Sequence, residues 1–438
     1  MSVNESEARL ANLSRQTFLS MWSYQNPYYS EGKELCDVLI VFGDDVIIIS
    51  DKVIKYSEDN TPDIAWKRWY GKAVSASVKQ LRGALKTIKT SPEAVHLDAR
   101  VSSPFPLRFP DVTRARYHLI AVAHGIEATR TRHLKTSSFG LDSSLTNSVT
   151  LFTVGVHFPE FVHVVSRTAL DALFECFDTT ADFVMYLTAK EAFLTKNHVL
   201  FTGEEDLIGV YMRGRRPGGS SPLCELIEAD EKGVRIVDAD VWSSLRKDLN
   251  FMQRKAKLAP SYLIDEVIEH HASEYMRGRM VSGQDKALAY HATALQVLAS
   301  ESRMARMLMG MAVVDVLIEN PKTYWSVVVE SSEQPGVHFL WLVYPVVNER
   351  VSDDDLETAV GHELKTYIYV AMSKFPNAQT VFGIAIPNAE SARTSRAFQI
   401  AVRNVWTDEM QKEAELLGLT RGIFSHVETT TRVAVHAI

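Results

Sequence analysis

The chain has 438 residues, 46% of them hydrophobic and 23% charged, with a formal net charge of -7. This composition excludes a disordered chain, allows two or three domains with their own cores, and makes any nucleic-acid contact depend on a local basic patch. Three cysteines, Cys36, Cys176 and Cys224, lack CxxC spacing and so argue for a reducing cytosol and against a zinc site.

The first residues, MSVNESEARLANLSRQTFLSMW, are acidic and polar before they become amphipathic, which is not the order of a secretion signal. No apolar run approaches the twenty or so residues of a membrane span. A soluble, cytoplasmic protein with no membrane partner is expected. Leu10, Leu13, Phe18, Leu19 and Trp22 recur at helical spacing and predict a helix over 5–23. Next comes EGKELCDVLIVFGDDVIIISDK, the most informative stretch in the chain. Asp37 opens the apolar run Val38 to Phe42, Gly43-Asp44-Asp45 turns the chain, and Val46 to Ile49 return it as a β-branched strand. Glu34, Asp37 and Lys52 are the candidate chemistry, and such a hairpin brings Asp37 and Lys52 toward the same end. A carboxylate holding a divalent cation beside an ammonium that orients a water is what phosphodiester hydrolysis by metal-activated water requires. The same residues also read as the solvated ends of a hairpin and an edge charge that blocks aggregation. After the lysine, DIAWKRWYGKAVSASVKQLRGALKTIK predicts one long amphipathic helix, with Thr61-Pro62-Asp63 as its start and Gln80 about two-thirds along it. Lys67, Arg68, Lys72, Lys79, Arg82, Lys86 and Lys89 lie along it, as a solvated face or as a basic patch.

Over roughly residues 5–125 this pattern resembles the PD-(D/E)XK, or restriction-endonuclease-like, nuclease superfamily, and within it the nuclease-related domain, with its Glu-x-x-Asp, apolar strand, turn, apolar strand and Glu-x-Lys. The resemblance implies a restriction-endonuclease-like α/β domain with a mixed sheet and flanking helices. It further implies a Mg2+ (or Mn2+) ion ligated by Asp37 and supported by Glu34, Lys52 orienting the attacking water, Gln80 positioning it, and DNA as partner. Ser50 stands where the pattern has its second acid. Ser50 and Lys52 point to one face of the strand and Asp51 to the other, so Asp51 replaces the missing carboxylate only if a bulge rotates it. Some members carry Ser-x-Lys and draw the second carboxylate from the following helix, for which Asp63 is the nearest candidate and Glu58 and Asp59 are weaker ones.

Farther along, PFPLRFPDV reads as a loop, Tyr117 to Ala123 as a buried strand, Arg130 to Ser148 as an exposed loop and LFTVGVHF as a strand. Two helical segments follow over 166–195, the second capped by Asp178-Thr179-Thr180, and Gly203-Glu204-Glu205-Asp206 begins another helix. The glycine-, proline- and arginine-rich stretch 213–222 marks a boundary. The expected organisation is 1–212 as the restriction-endonuclease-like domain, 213–222 as linker, 223–320 as a helical domain, and 321–438 as a small α/β or α+β domain. In the last of these, 324–330 and 338–347 pair as strands around Gln334-Pro335-Gly336, a helix spans 353–373, a strand 380–386, and a second helix starts near Ser391.

Other chemistry finds no anchor. His362-Glu363 is followed by Thr366 where a zinc protease needs histidine, the adjacent His270 and His271 face different ways on a helix, and no phosphate-binding loop or GxSxG elbow occurs. Met304, Met307, Leu308, Met309 and Met311 read as core or as an interface stripe. The expectation is therefore a metal-dependent DNA endonuclease, of a kind suited to bacterial defence. Its rival is a catalytically degenerate nuclease-fold protein that binds nucleic acid or protein. With either, residues 223–438 suit a sensor or a homo-oligomerisation module.

Overall fold

In a computed structural model describing residues 5–134, 136–146, 150–214, 223–277, 288–345, 351–390 and 397–427, the N-terminal amphipathic stretch forms α1 (Glu5–Trp22). Its apolar side, including Leu10, Phe18, Met21 and Trp22, is buried. The chain then builds a mixed sheet from β1 (Ser23–Gln25), β2 (Val38–Phe42), β3 (Asp45–Val53), β4 (Arg116–His124) and β5 (Val162–Val165), in that spatial order. β1, β2 and β3 are antiparallel neighbours, whereas β3, β4 and β5 run parallel. Gly43, at φ 61°, takes the first central position of the two-residue turn between Phe42 and Asp45, where a left-handed residue suits the strand twist.

Ser50 bonds to a side chain of the following helix and Asp51 to one of α1, so helices cover both faces of β3. That double cover is why β2 and β3 read as unbroken apolar runs instead of alternating ones. The helix expected over 63–89 is observed as α2 (Pro62–Tyr70) and α3 (Ala76–Thr90), joined by a π turn at Gly71–Ser75. Trp66 and Trp69 stack at 5.1 Å, and the Trp69 indole N–H donates to Ile54 O at 2.9 Å and to His124 O at 3.2 Å. Thr61 precedes α2 but makes no capping bond through its side chain.

The expected exposed loop over 130–148 is instead α4 (Glu127–Leu134) followed by a short strand at Gly140–Asp142. Arg130 is 3% exposed and donates through Nε to Ser138 O at 2.7 Å, so polarity there does not mean solvent. Of the strand expected at 151–158, Thr153–Val154 form a short strand and His157 a single bridge to Phe161, and the sheet strand is β5. α5 (Arg167–Cys176) and α6 (Thr180–Lys196) follow, α6 capped by the Thr179 hydroxyl, which accepts from Asp182 N. α7 (Glu204–Arg213) opens with the expected acidic turn.

The chain divides into two compact units, Met1–Arg254 and Lys255–Ala437. The first runs on past the stretch 213–222, of which 215–222 lie outside the described residues. The second begins with α8 (Tyr262–Met276), α9 (Leu288–Ala299) and α10 (Arg303–Glu319), in line with the helical pattern of the sequence. β6 (Trp325–Glu330) and β7 (Val337–Tyr344) form the expected hairpin, α11 (Asp353–Lys374) crosses over, and β8 (Thr380–Pro387) returns parallel to β7. Leu364 and Ile368 of α11 pack on Leu340, Leu342 and Ala385. Gly383 permits that approach, since a Cβ there meets Ile368 Cδ1 at 2.5 Å. Residues 391–396, where a second helix was expected to start, lie outside the described residues. Ala397–Val402 is a strand, β9, antiparallel to β8, and helix returns only at α12 (Asp408–Arg421), capped by Thr407. The run AFQIAV half-buries its side chains on a sheet edge, which its short length and β-branched content permit. Among the described residues no helix is long and apolar enough to cross a membrane.

Candidate functional site

Asp37 stands one residue before β2, at the end where the ladder with β3 closes. Its N–H donates to Ile49 O at 3.1 Å, and its Oδ2 accepts the Asp51 N–H at 2.6 Å, taking the place of the next ladder carbonyl. The carboxylate is thereby fixed by backbone. It is 7% exposed, and burial pushes its pKa up; the Asp51 N–H and the Lys52 ammonium pull it back, while Asp51 and Glu7 push it up again, leaving it raised.

Glu34 lies exposed beside it, with its pKa raised by burial, then by the charges of Asp37 and Glu7, against the opposing pull of Lys52. Asn26 donates to Asp37 O through its backbone N–H at 3.0 Å, and its side-chain amide, in the orientation that satisfies both its ends, donates to Glu34 Oε1 at 2.9 Å. Glu7, Gln25, Asn26 and Asp37 line one small pocket together with the apolar Leu10, Ala11 and Val38. Two acids of the expected site, Glu34 and Asp37, both feel the charge of Lys52, and α1 adds Glu7.

On the α3 side, Ser50 is fully buried and donates through Oγ to Gln80 Oε1 at 3.0 Å. Asp51 takes the opposite face, as strand alternation requires. Its Oδ1 lies 2.6 Å from His124 Nε2, and its Oδ2 accepts from Ser6 Oγ at 2.7 Å. The β3–β4 register is regular from Asp45 to Val53, so no bulge rotates Asp51 toward Lys52, although its charge still reaches Asp37. Asp63 is exposed in the first turn of α2, where its charge acts on Tyr56. Glu58 accepts from Thr129 Oγ1 at 2.7 Å and pairs with Arg132, and Asp59 accepts from Ser57 Oγ at 2.8 Å.

A second polar centre, which the sequence reading passed over, lies at the opposite end of the sheet. His118 Nδ1 and His163 Nε2 both sit 2.8 Å from Glu191 Oε1, and His118 Nε2 faces Asp45 Oδ1 at 3.4 Å. Asp45 in turn accepts two bonds from Arg116, at 2.7 and 2.6 Å. Burial opposes charge on His118, but the hydrogen bonds it donates to Asp45 and Glu191 outweigh it and raise the ring to about 9. Burial prevails at His163, which falls to about 4. Among the described residues these three are the one group of His, Cys, Asp or Glu whose ligand atoms all lie within 4.8 Å of one another, so the acids around Asp37 form a looser set. From His118 to His124 along β4 is about 20 Å at the usual strand rise, which separates the two centres.

One signal for the missed residues is present in the sequence: a histidine inside each of the apolar runs YHLIAVA and VHVV must find a buried partner. No protein-family model matches the chain, no curated protein matches it, and no solved structure matches it.

Proposed function

We propose that this chain is a metal-dependent phosphodiesterase acting on DNA in the cytoplasm, with its active centre at the Asp37 end of the β2–β3 hairpin. The observation that carries this reading is the gathering of acids at one pocket: Glu7 of α1 and Asp37 line it together, and Asn26, in the same lining, bonds to both Asp37 O and Glu34 Oε1. Carboxylates crowded at one place gain from a cation between them, and oxygen donors suit Mg2+ or Mn2+. Asp37 and Glu34 would hold the ion, with Glu7 as a third acid where the family pattern's second-strand carboxylate is replaced by Ser50. A divalent ion there supplies Lewis acidity to the phosphate and makes a water more acidic.

The remaining work falls to this chain's own side chains. The Asp51 N–H keeps the Asp37 carboxylate in one orientation. Lys52 presents an ammonium to the attacking water and to the charge that grows on the phosphate oxygens as the P–O bond breaks. Gln80 has its carbonyl end occupied by Ser50, so its amide N–H groups are left to hold a water or a phosphate oxygen. The exposed basic side chains of α2 and α3, which continue from Gln80, suit a polyanion.

A second reading, a binding module that has lost catalysis, is favoured by Ser50 and by the engagement of Asp51 with His124 and Ser6. Incubating the protein with plasmid DNA and Mg2+ or Mn2+ separates the two. Cleavage that Asp37→Ala and Lys52→Ala both abolish supports the catalytic reading. Retained DNA binding without cleavage in any divalent ion, or cleavage undiminished in both variants, sinks it.

A further inference from the structure

The histidines at the far end of the sheet take no part in that chemistry. We propose that His118 Nδ1, His163 Nε2 and Glu191 Oε1 form a binding site for a first-row divalent transition ion of the zinc class. The inference is independent of the phosphodiesterase reading.

Placement comes first. In the parallel pair of β4 and β5, Ile120 is registered with His163, and His118 lies two residues before Ile120, so both imidazoles stand on the same face of the sheet. α6 brings Glu191 to that face. The rotation of α6 is held by the neighbouring Lys190, fully buried and ion-paired with Glu204 at 2.6 Å. All three donors therefore come from regular, buried elements.

Spacing comes next. Glu191 Oε1 lies 2.8 Å from each ring nitrogen, and the three donor atoms all lie within 4.8 Å. Two ligands at bond lengths of ~2.1 Å and angles between square and tetrahedral are about 3 to 3.4 Å apart. At 2.8 Å the carboxylate oxygen stands at hydrogen-bond distance from both rings, so it backs away by a few tenths of an ångström as an ion takes the place of the shared protons.

The outer partners of a metal site are also built. His118 turns its other nitrogen, Nε2, to the Asp45 carboxylate, which the Arg116 guanidinium grips at both oxygens. A carboxylate behind a ligating histidine fixes its orientation and raises its basicity. The His118 and His163 side chains are 2% and 0% exposed, whereas that of Glu191 is 27% exposed, so solvent reaches the cluster from the carboxylate side. A cluster this polar costs stability when buried without purpose, and apolar side chains of similar size fill such space at least as well.

Donor chemistry selects the ion. Two imidazoles and one carboxylate favour Zn2+, Co2+, Ni2+ or Fe2+ over Mg2+, which prefers oxygen donors and keeps its waters. The all-oxygen set around Asp37 has the opposite preference.

The test uses the full chain, stripped with a chelator, then titrated with Zn2+ by calorimetry and with Co2+ by visible absorption. One ion per chain is expected, with Co2+ developing a ligand-field band, and with both signals lost in His163→Gln and Glu191→Gln and retained in Asp37→Ala. Asp45→Asn leaves the three ligands intact and is expected to weaken binding by about 10- to 100-fold, with the far-ultraviolet spectrum unchanged. Failure of the wild-type chain to take up either ion overturns the proposal. So does uptake that is the same in Glu191→Gln and Asp45→Asn as in the wild type.

Discussion

Asp37 carries a conflict that the fold does not relieve by itself: it is buried, and Asp51 and Glu7 add repulsion that the Lys52 ammonium only partly offsets. Its folded pKa is raised above the unfolded value, so its contribution to stability is fully present below about pH 3.9 and is lost as pH rises through the folded pKa. Asp37→Asn removes the titration and keeps an oxygen to accept the Asp51 N–H. In the presence of a chelator the variant should therefore be more stable than wild type at pH 7.5, by about 1 kcal/mol, as is common when a strained functional residue is neutralised. The advantage should shrink toward pH 4, and urea unfolding at the two pH values measures it. An advantage that is constant with pH, or a loss at pH 7.5, would show that Asp37 is not held against repulsion. At this scale, Asp37, Lys52 and the alternation of Ser50 with Asp51 were legible because strand side chains alternate strictly. Glu7 was not, since nothing local in a helix says which distant strand its first turn faces. The histidines inside YHLIAVA and VHVV announced buried partners, but not which ones: the β4–β5 register brings His118 and His163 together, and the packing of α6 supplies Glu191.

Elements follow the same division between local and distant causes. α1, the hairpin, α8 to α10 and α11 are long or strongly periodic, and their patterns named them. β9 and α4 are short, and tertiary packing decided them: β9 as an added edge strand beside β8, and α4 through the buried Arg130 and its bond to Ser138 O. Gly310 shows how packing reverses a local preference. It sits inside α10, where replacing glycine by alanine ordinarily stabilises a helix by about 1 kcal/mol. Here a Cβ would lie 2.0 Å from Pro260 O and 2.6 Å from Pro260 C, which are backbone atoms with no rotamer to yield. Gly310→Ala should thus cost about 1–3 kcal/mol, as overpacked sites do, with a lower thermal midpoint as the readout. A higher midpoint would mean that the turn at Ala259–Ser261 gives way freely.

For the molecule as a whole, a net charge of -7 opposes association with a polyanion, so any affinity for DNA has to be local. Arg82 is tied to Glu160 at 2.6 Å and Lys89 lies over the Tyr117 ring at 4.6 Å, which spends part of the basic run on the fold. Lys79 and Lys86 recur seven residues apart and are exposed, so they share one stripe along α3, and Lys72 in the π turn before it is exposed as well. Binding of DNA to Asp37→Ala without divalent ions isolates this electrostatic component from cleavage. Each phosphate neutralised contributes about -0.9 to the slope of log K against log salt concentration. Changing Lys72, Lys79 and Lys86 together to alanine should flatten the slope by about one for each lysine that meets a phosphate, while weakening all DNA sequences alike. The same triple change leaves the Asp37 and His118 centres untouched, so the far-ultraviolet spectrum and thermal midpoint should hold. An unaltered slope would place the contact elsewhere and remove the basic stripe from the argument for a nucleic-acid substrate, whatever the hairpin acids do.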